Sequence, residues 1–198
     1  MFCGPEWVSL MWSLLLALQL AGPQAPASPL ERLQRKIAVE ALPASSPSRL
    51  AGHYTSASSE LGKRIGGFLT GEDLYLFADS TYLYCEWGDI EPLTIYDKGK
   101  WLVSGGRLTL SSDAEITWPL RRESRYLLFR RAGRPQEALL IGLKEQVAYF
   151  EKQAASDDPE AMLLIVSLVR EKVYSPSEGR RLKAQLMADA WRPERHGK

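Results

Sequence analysis

The sequence predicts an α+β protein in which an antiparallel β-meander, curling towards a barrel or a strongly bent sheet, is flanked by a short N-terminal helix and by C-terminal helices. Three observations carry that prediction. Between Gly52 and Arg131, short runs rich in Tyr, Trp, Leu, Ile and Val are separated by Gly, Asp and Ser clusters about every ten residues, the spacing of antiparallel strands. Two capping boxes, Ser28-Pro29-Leu30-Glu31 and Ser175-Pro176-Ser177-Glu178, announce helices at either side of this region. Beyond Gly142 the apolar residues recur at helical spacing rather than in alternation.

In chain order, Trp7 to Ala21 carries no charge and is followed by the small-x-small pair Ala25 and Ala27, which together read as an export signal over residues 1–27. At fifteen residues this run falls short of the roughly 20 that a stable spanning helix needs. The first residues contain Glu6 and neither Lys nor Arg, so the n-region is atypical. The alternative is an uncleaved helix that anchors the chain in a membrane, with Arg32, Arg35 and Lys36 on its cytoplasmic side. Residues 28–51 read as a short helix to about Leu42, with Leu30, Leu33 and Ile37 on one face, and a Pro- and Ser-rich linker from Pro43.

The β-domain covers 52–142. Strands are expected at His53–Thr55, Gly67–Thr70, Asp73–Phe77, Thr81–Trp87, Leu93–Tyr96, Lys100–Ser104, Arg107–Leu110, Glu115–Trp118 and Arg125–Arg131. Ala78-Asp79-Ser80, Trp87-Gly88-Asp89 and Ser104-Gly105-Gly106 are the turns, with Gly88, Gly105 and Gly106 able to supply positive φ. Within Thr81–Trp87, alternation places Thr81, Leu83, Cys85 and Trp87 on one face, read as core, and Tyr82, Tyr84 and Glu86 on the other, read as surface. Ala138–Gly142 is a last strand or the start of a helix. The segment 143–198 reads as helical: Lys144–Ala155, a second helix capped by Asp158 whose Leu163, Leu164, Val166, Leu168 and Val169 are apolar nearly all round, and a third from Ser175 to about Ala190.

Several chemistries are disfavoured. Removal of residues 1–27 leaves 171 residues in which 25 basic face 23 acidic side chains, because Glu6 is the sole charge lost. That balance implies no nucleic-acid or acidic-membrane partner. Cys85 is then the lone cysteine, so no intramolecular disulfide forms. The two histidines, His53 and His196, sit in no motif; a His53–Cys85 nucleophilic pair is weighed against a strand residue and a core thiol, and the latter is preferred. A metal site from His53, Cys85, Glu86 and Asp89 fails because Cys85 and Glu86 point to opposite faces. Glu72, Asp73, Glu86, Asp89 and Glu91 are carboxylates that acid–base hydrolysis could use, or solvated strand ends. Gly62 to Gly67, "GKRIGG", lacks phosphate-loop spacing. Arg121, Arg122, Arg125, Arg130, Arg131 and Arg134 read as the solvated side of an edge strand.

"AGHYTS" at the start of the β-domain and "DKGKWLVSGGRLTL", Asp97 to Leu110, resemble the G-x-Y or G-x-W opening and the G-x-W-x-x-x-x-G-x-L-x-L hairpin of lipocalin-like domains in exported bacterial proteins. The resemblance covers Gly52 to Thr117. It implies an eight-stranded or partly open barrel with an apolar cavity and carries over no catalytic residue. The expectation is therefore an exported, periplasmic or secreted, non-enzymatic binding module for a small apolar ligand or an envelope protein, with Tyr75, Tyr82, Tyr84, Trp87 and Trp101 as candidate ligand contacts and no metal or cofactor. Two alternatives are an interaction protein that docks a partner through its C-terminal helices and a carboxylate-dependent hydrolase. Trp101, which shares its strand face with Val103 ahead of a tight turn, is also expected to anchor packing. N-terminal sequencing of protein from its native host is expected to start at Ser28; membrane-bound protein starting at Met1 or Phe2 would overturn the export reading.

Overall fold

A computed structural model describes residues 39–41, 47–113, 124–131, 134–142, 164 and 167–191. The strands are β1 (Val39–Ala41), β2 (Gly52–Thr55), β3 (Thr70–Leu76), β4 (Thr81–Gly88), β5 (Thr94–Ser104), β6 (Arg107–Ser112), β7 (Arg125–Arg131), β8 (Arg134–Gly142) and β9 (Ser167–Lys172); the helices are α1 (Pro47–Leu50), α2 (Ser59–Ile65) and α3 (Pro176–Asp189). From β2 to β9 each strand pairs antiparallel with its neighbour in sequence, and β9 pairs with β2. The sheet thus closes into an eight-stranded up-and-down barrel. β1 extends the wall outside that count, pairing with Phe129–Arg131 where β6, paired to Arg125–Leu127, has ended.

One end of the barrel carries the tight turns. Gly105 and Gly106, at φ 56° and 72°, make the expected two-residue hairpin, and Ser80 takes φ 62° in the turn before β4. This turn end is sealed by α1: Leu50 is buried in the interior, the Tyr54 hydroxyl donates to the Leu50 carbonyl at 2.8 Å, and the Arg170 guanidinium donates to the Arg49 carbonyl at 2.7 Å. Burial pushes the Tyr54 hydroxyl up to about 12, against the opposing pull of Arg170. At the loop end lie α2 and the β4–β5 connection.

Alternation along the strands divides the core in two. Tyr54, Leu74, Leu76, Tyr82, Tyr84, Trp101, Leu108, Leu128 and Leu140 fill the barrel. Tyr75, Phe77, Leu83, Cys85 and Ile95 face outward and are covered by Leu186 of α3 and its C-cap Ala190, while Leu61 of α2 packs with Phe129, Leu139, Ile141 and Val169. α3 carries the expected capping box, Ser175 accepting from the Glu178 amide and Glu178 from the Ser175 amide. α2 is capped by Ser58 and ends in Gly66 at φ 81°.

Several expectations are corrected. Tyr82 and Tyr84 do not form a surface face; they point into the barrel and are fully buried, and the opposite face is buried too because α3 lies on it. Ser167–Lys172, expected within a helix, is the strand that closes the barrel, its apolar run reflecting burial from both sides. β5 is continuous across Asp97–Gly99 rather than two strands, β3 starts at Thr70 in place of separate strands at Gly67 and Asp73, and β8 starts at Arg134. Val39–Ala41 is strand rather than helix, and the linker contains α1. β7 has neighbours on both sides, so it is no edge strand. Gly88 lies at the end of β4 without positive φ. The expectations for residues 1–38, Lys144–Ala155 and Glu115–Trp118 fall outside the described residues.

Trp101 is the anchor that its strand pattern suggests. Its indole N–H donates to the Phe77 carbonyl at 3.2 Å and its amide to the Ser80 carbonyl at 2.8 Å, tying β5 to the β3–β4 turn, and only 3% of it is exposed. Trp101→Ala is expected to cost about 3 to 5 kcal/mol in denaturant unfolding, whereas Leu102→Ala, at a position 54% exposed, should stay within about 0.5 kcal/mol.

Candidate functional site

The barrel interior changes chemistry along its axis. Towards the turn end it is Leu50, Leu76, Trp101 and Leu108; towards the loop end it becomes tyrosine and carboxylate. Asp97, 1% exposed, accepts from the Tyr82 hydroxyl in a short hydrogen bond and from the Ser112 hydroxyl at 2.5 Å. Such donors are what a buried carboxylate requires. Regular alternation with Trp101 aims it inward, and a bulge follows directly: Tyr84 pairs with Asp97 but Cys85 with Ile95, so Tyr96 is an extra residue and Ile95, which strict alternation would put inside with Asp97, turns outward to α3. The Ile95 amide donates to the Ala190 carbonyl, fastening the end of α3 there.

Above this layer, Glu72 of β3 and Glu86 of β4 are direct cross-strand partners on the inward face and are half-buried. The Tyr84 hydroxyl beneath them donates to Glu86 Oε1 at 3.1 Å. Burial, then the charges of Glu72 and Glu86, push that phenol far above its ordinary range, so it stays a donor. Ser56 locks β2 to β3 by exchanging hydrogen bonds with the Glu72 backbone, its amide donating at 3.0 Å and its hydroxyl oxygen accepting at 2.8 Å. The Asp89 amide donates to the Leu69 carbonyl at 2.7 Å, joining the two connections of the loop end. Between them is a cleft of about 650 Å³ lined by Glu72, Glu86, Asp89 and Glu91 together with Leu69, Trp87 and Ile90. A Cβ at Gly71 would collide with the Trp87 ring, so glycine is what lets the indole lie against β3. Leu69 and Ile90 are 74% and 94% exposed beside it.

Of the candidate ligand contacts, Tyr82, Tyr84 and Trp101 share the interior, and Trp87 lines the cleft from the outward row. Tyr75 is separate. It lies on the outer wall under α3, stacked on His53 with ring centroids 4.6 Å apart. Four of the five carboxylates read from the sequence meet in the cleft, while Asp73 faces outward to His53. The residues missed are Asp97 and Ser112, which no motif marks and which the interior alone brings together.

The outer cluster does not make a nucleophile. His53 Nε2 lies 3.1 Å from Asp73 Oδ1, yet neither atom has a hydrogen-bond partner, so the two are close but out of line for a hydrogen bond. Asp73 stands directly opposite Cys85 in register, between thiol and imidazole. Burial and then the Asp73 charge push the thiol up, the reverse of activation. Among the described residues no group of three or more His, Cys, Asp and Glu could hold a metal ion. "GKRIGG" is the C-terminal end and cap of α2.

No family model matches the chain, and neither a curated protein nor a solved structure is similar to it. In the chain beginning at Ser28, thiol reagent is expected to modify native Cys85 about a thousand-fold more slowly than the unfolded chain, at a rate set by unfolding; labelling at the unfolded rate would mean that the thiol is open to solvent.

Proposed function

We propose that this protein is an exported, non-enzymatic binding module built on a lipocalin-like barrel, whose ligand is a small molecule with an apolar body and a cationic head held in the loop-end cleft. The observation that carries this reading is the lining itself. Four carboxylates stand with Trp87, Leu69 and Ile90, and among the described residues no Lys or Arg lines the cleft. Carboxylates of this kind attract an ammonium group, a charged hydrogen bond being worth about 1.5 to 3 kcal/mol, and an indole face adds cation–π attraction. The apolar ligand expected from the sequence thereby gains a charged end.

Export rests on the uncharged run Trp7–Ala21 and the Ala25-x-Ala27 site. Among the described residues no helix is long and apolar enough to cross a membrane. Docking of an envelope partner through α3 is the weaker reading, because Leu182, Leu186, Met187 and Ala190 already pack against the barrel wall. A hydrolytic pair is the weaker reading too: Glu72 and Glu86 stand side by side on adjacent strands instead of facing across a substrate seat.

The test is calorimetric titration with 2-phenylethylammonium and with 2-phenylethanol. The ammonium should bind the native protein more tightly, and the double variant Glu72→Gln/Glu86→Gln should lower its affinity about ten-fold or more while leaving the alcohol unchanged. Equal binding of the two probes, or a double variant that binds the ammonium as well as the native chain, would rule the cationic ligand out.

A further inference from the structure

We propose that the groove between α3 and the turn end of the barrel is a second ligand site, for a small apolar carboxylate whose charged group pairs with Arg180. The groove encloses about 300 Å³, and its floor and walls are Ala51, Leu76, Phe77, Tyr174 and Pro176. That volume is at the small end of ligand pockets and too small for a helix or a strand of another protein. It lies at the opposite end of the barrel from the acidic cleft.

The charges at its rim favour an anion. Lys183 is already engaged, donating to Asp79 Oδ2 at 3.1 Å and to the Thr81 hydroxyl at 2.6 Å. Partial burial raises Asp79, but hydrogen bonds from Thr81 and Lys183 outweigh it and hold the carboxyl below its ordinary value, so this pair is neutral as a unit. Arg180 also lines the groove, and no carboxylate pairs with it among the described residues. A planar guanidinium above an apolar floor suits a carboxylate, which it can take with two parallel hydrogen bonds. The amide end of α3 is not the attraction, because the Ser175 and Glu178 box already occupies it.

Gly179 is an independent sign that the space is kept open. It sits inside α3, where glycine is the poorest ordinary helix former, and its φ is not positive. A Cβ there would stand 3.5 Å from Phe77 Cδ1 and 3.9 Å from Tyr174 Cβ, ordinary contact distances. Neither backbone angle nor crowding calls for glycine; what an alanine methyl would take is room in the groove.

Fluorescence titration with 2-naphthoate and its neutral counterpart 2-naphthamide tests the proposal. Saturable binding of the naphthoate is expected, about ten-fold weaker or more for the amide and for naphthoate with Arg180→Gln. Gly179→Ala should keep or raise the unfolding temperature while weakening naphthoate, and Glu72→Gln/Glu86→Gln should leave naphthoate unchanged, which separates this site from the acidic cleft. No saturable binding in the millimolar range, undiminished affinity in Arg180→Gln or in a folded Gly179→Ala, or loss in the cleft variant would each overturn it.

Discussion

Pairing of β9 with β8 on one side and β2 on the other is the contact on which the rest of the structure depends. It removes the free edges that an eight-stranded open sheet would expose, and it gives the sheet an inside. The seam is tight: a Cβ at Gly52 would run into the Lys172 carbonyl, and the β2–β9 register shifts between His53 and Tyr54. Once an inside exists, α3 and α2 cover parts of the outer wall, so β4 is buried on both faces from Tyr82 to Cys85. A strand that would have had one wet side in an open meander has none.

Closure also makes the two ends chemically different. At the turn end the chain reverses in short hairpins, and α1 with Leu50 seals the interior with apolar atoms. At the loop end the inward rows finish in Glu72 and Glu86 above Tyr84, with the Asp97, Tyr82 and Ser112 network one layer down. A buried carboxylate needs donors at hand, and Asp97 has them because it alternates inward with Trp101 beside Tyr82 and Ser112. The bulge at Tyr96, one residue before Asp97, turns Ile95 outward, where its amide meets the end of α3. One irregularity in β5 therefore lets a single strand line the polar layer inside and hold the helix outside.

How much of this was legible in the residues varies with the range of the interaction. The α3 box at Ser175, the Gly105-Gly106 hairpin and the alternation of Thr81–Trp87 were readable because each depends on neighbours a few residues away. α2 passed unnoticed although Ser58 and Gly66 mark its two ends, because it spans only seven residues and its surroundings read as strand. β9 is hidden for a different reason: a strand buried on both sides is apolar without alternation, and such a run cannot be told from a buried helix by period. In the candidate site, the carboxylates at 72, 86, 89 and 91 could be seen, but not that Glu72 and Glu86 stand opposite each other, which follows from the register set by the turn at Phe77–Ser80.

By itself the sequence determined the alternation within Thr81–Trp87, the helix cap before Pro176, the turn after Ser104 and which side chains of a regular strand share a face, since these follow from backbone sterics and hydrogen bonds within one element. The tertiary structure alone decided which of two alternating faces became the interior, that Ser167–Lys172 extends instead of coiling, and that Asp97 is buried among hydroxyls. Those outcomes rest on pairing between segments more than a hundred residues apart, as between Tyr54 and Arg170, and on helices laid over an outer wall that exists only once the barrel has closed.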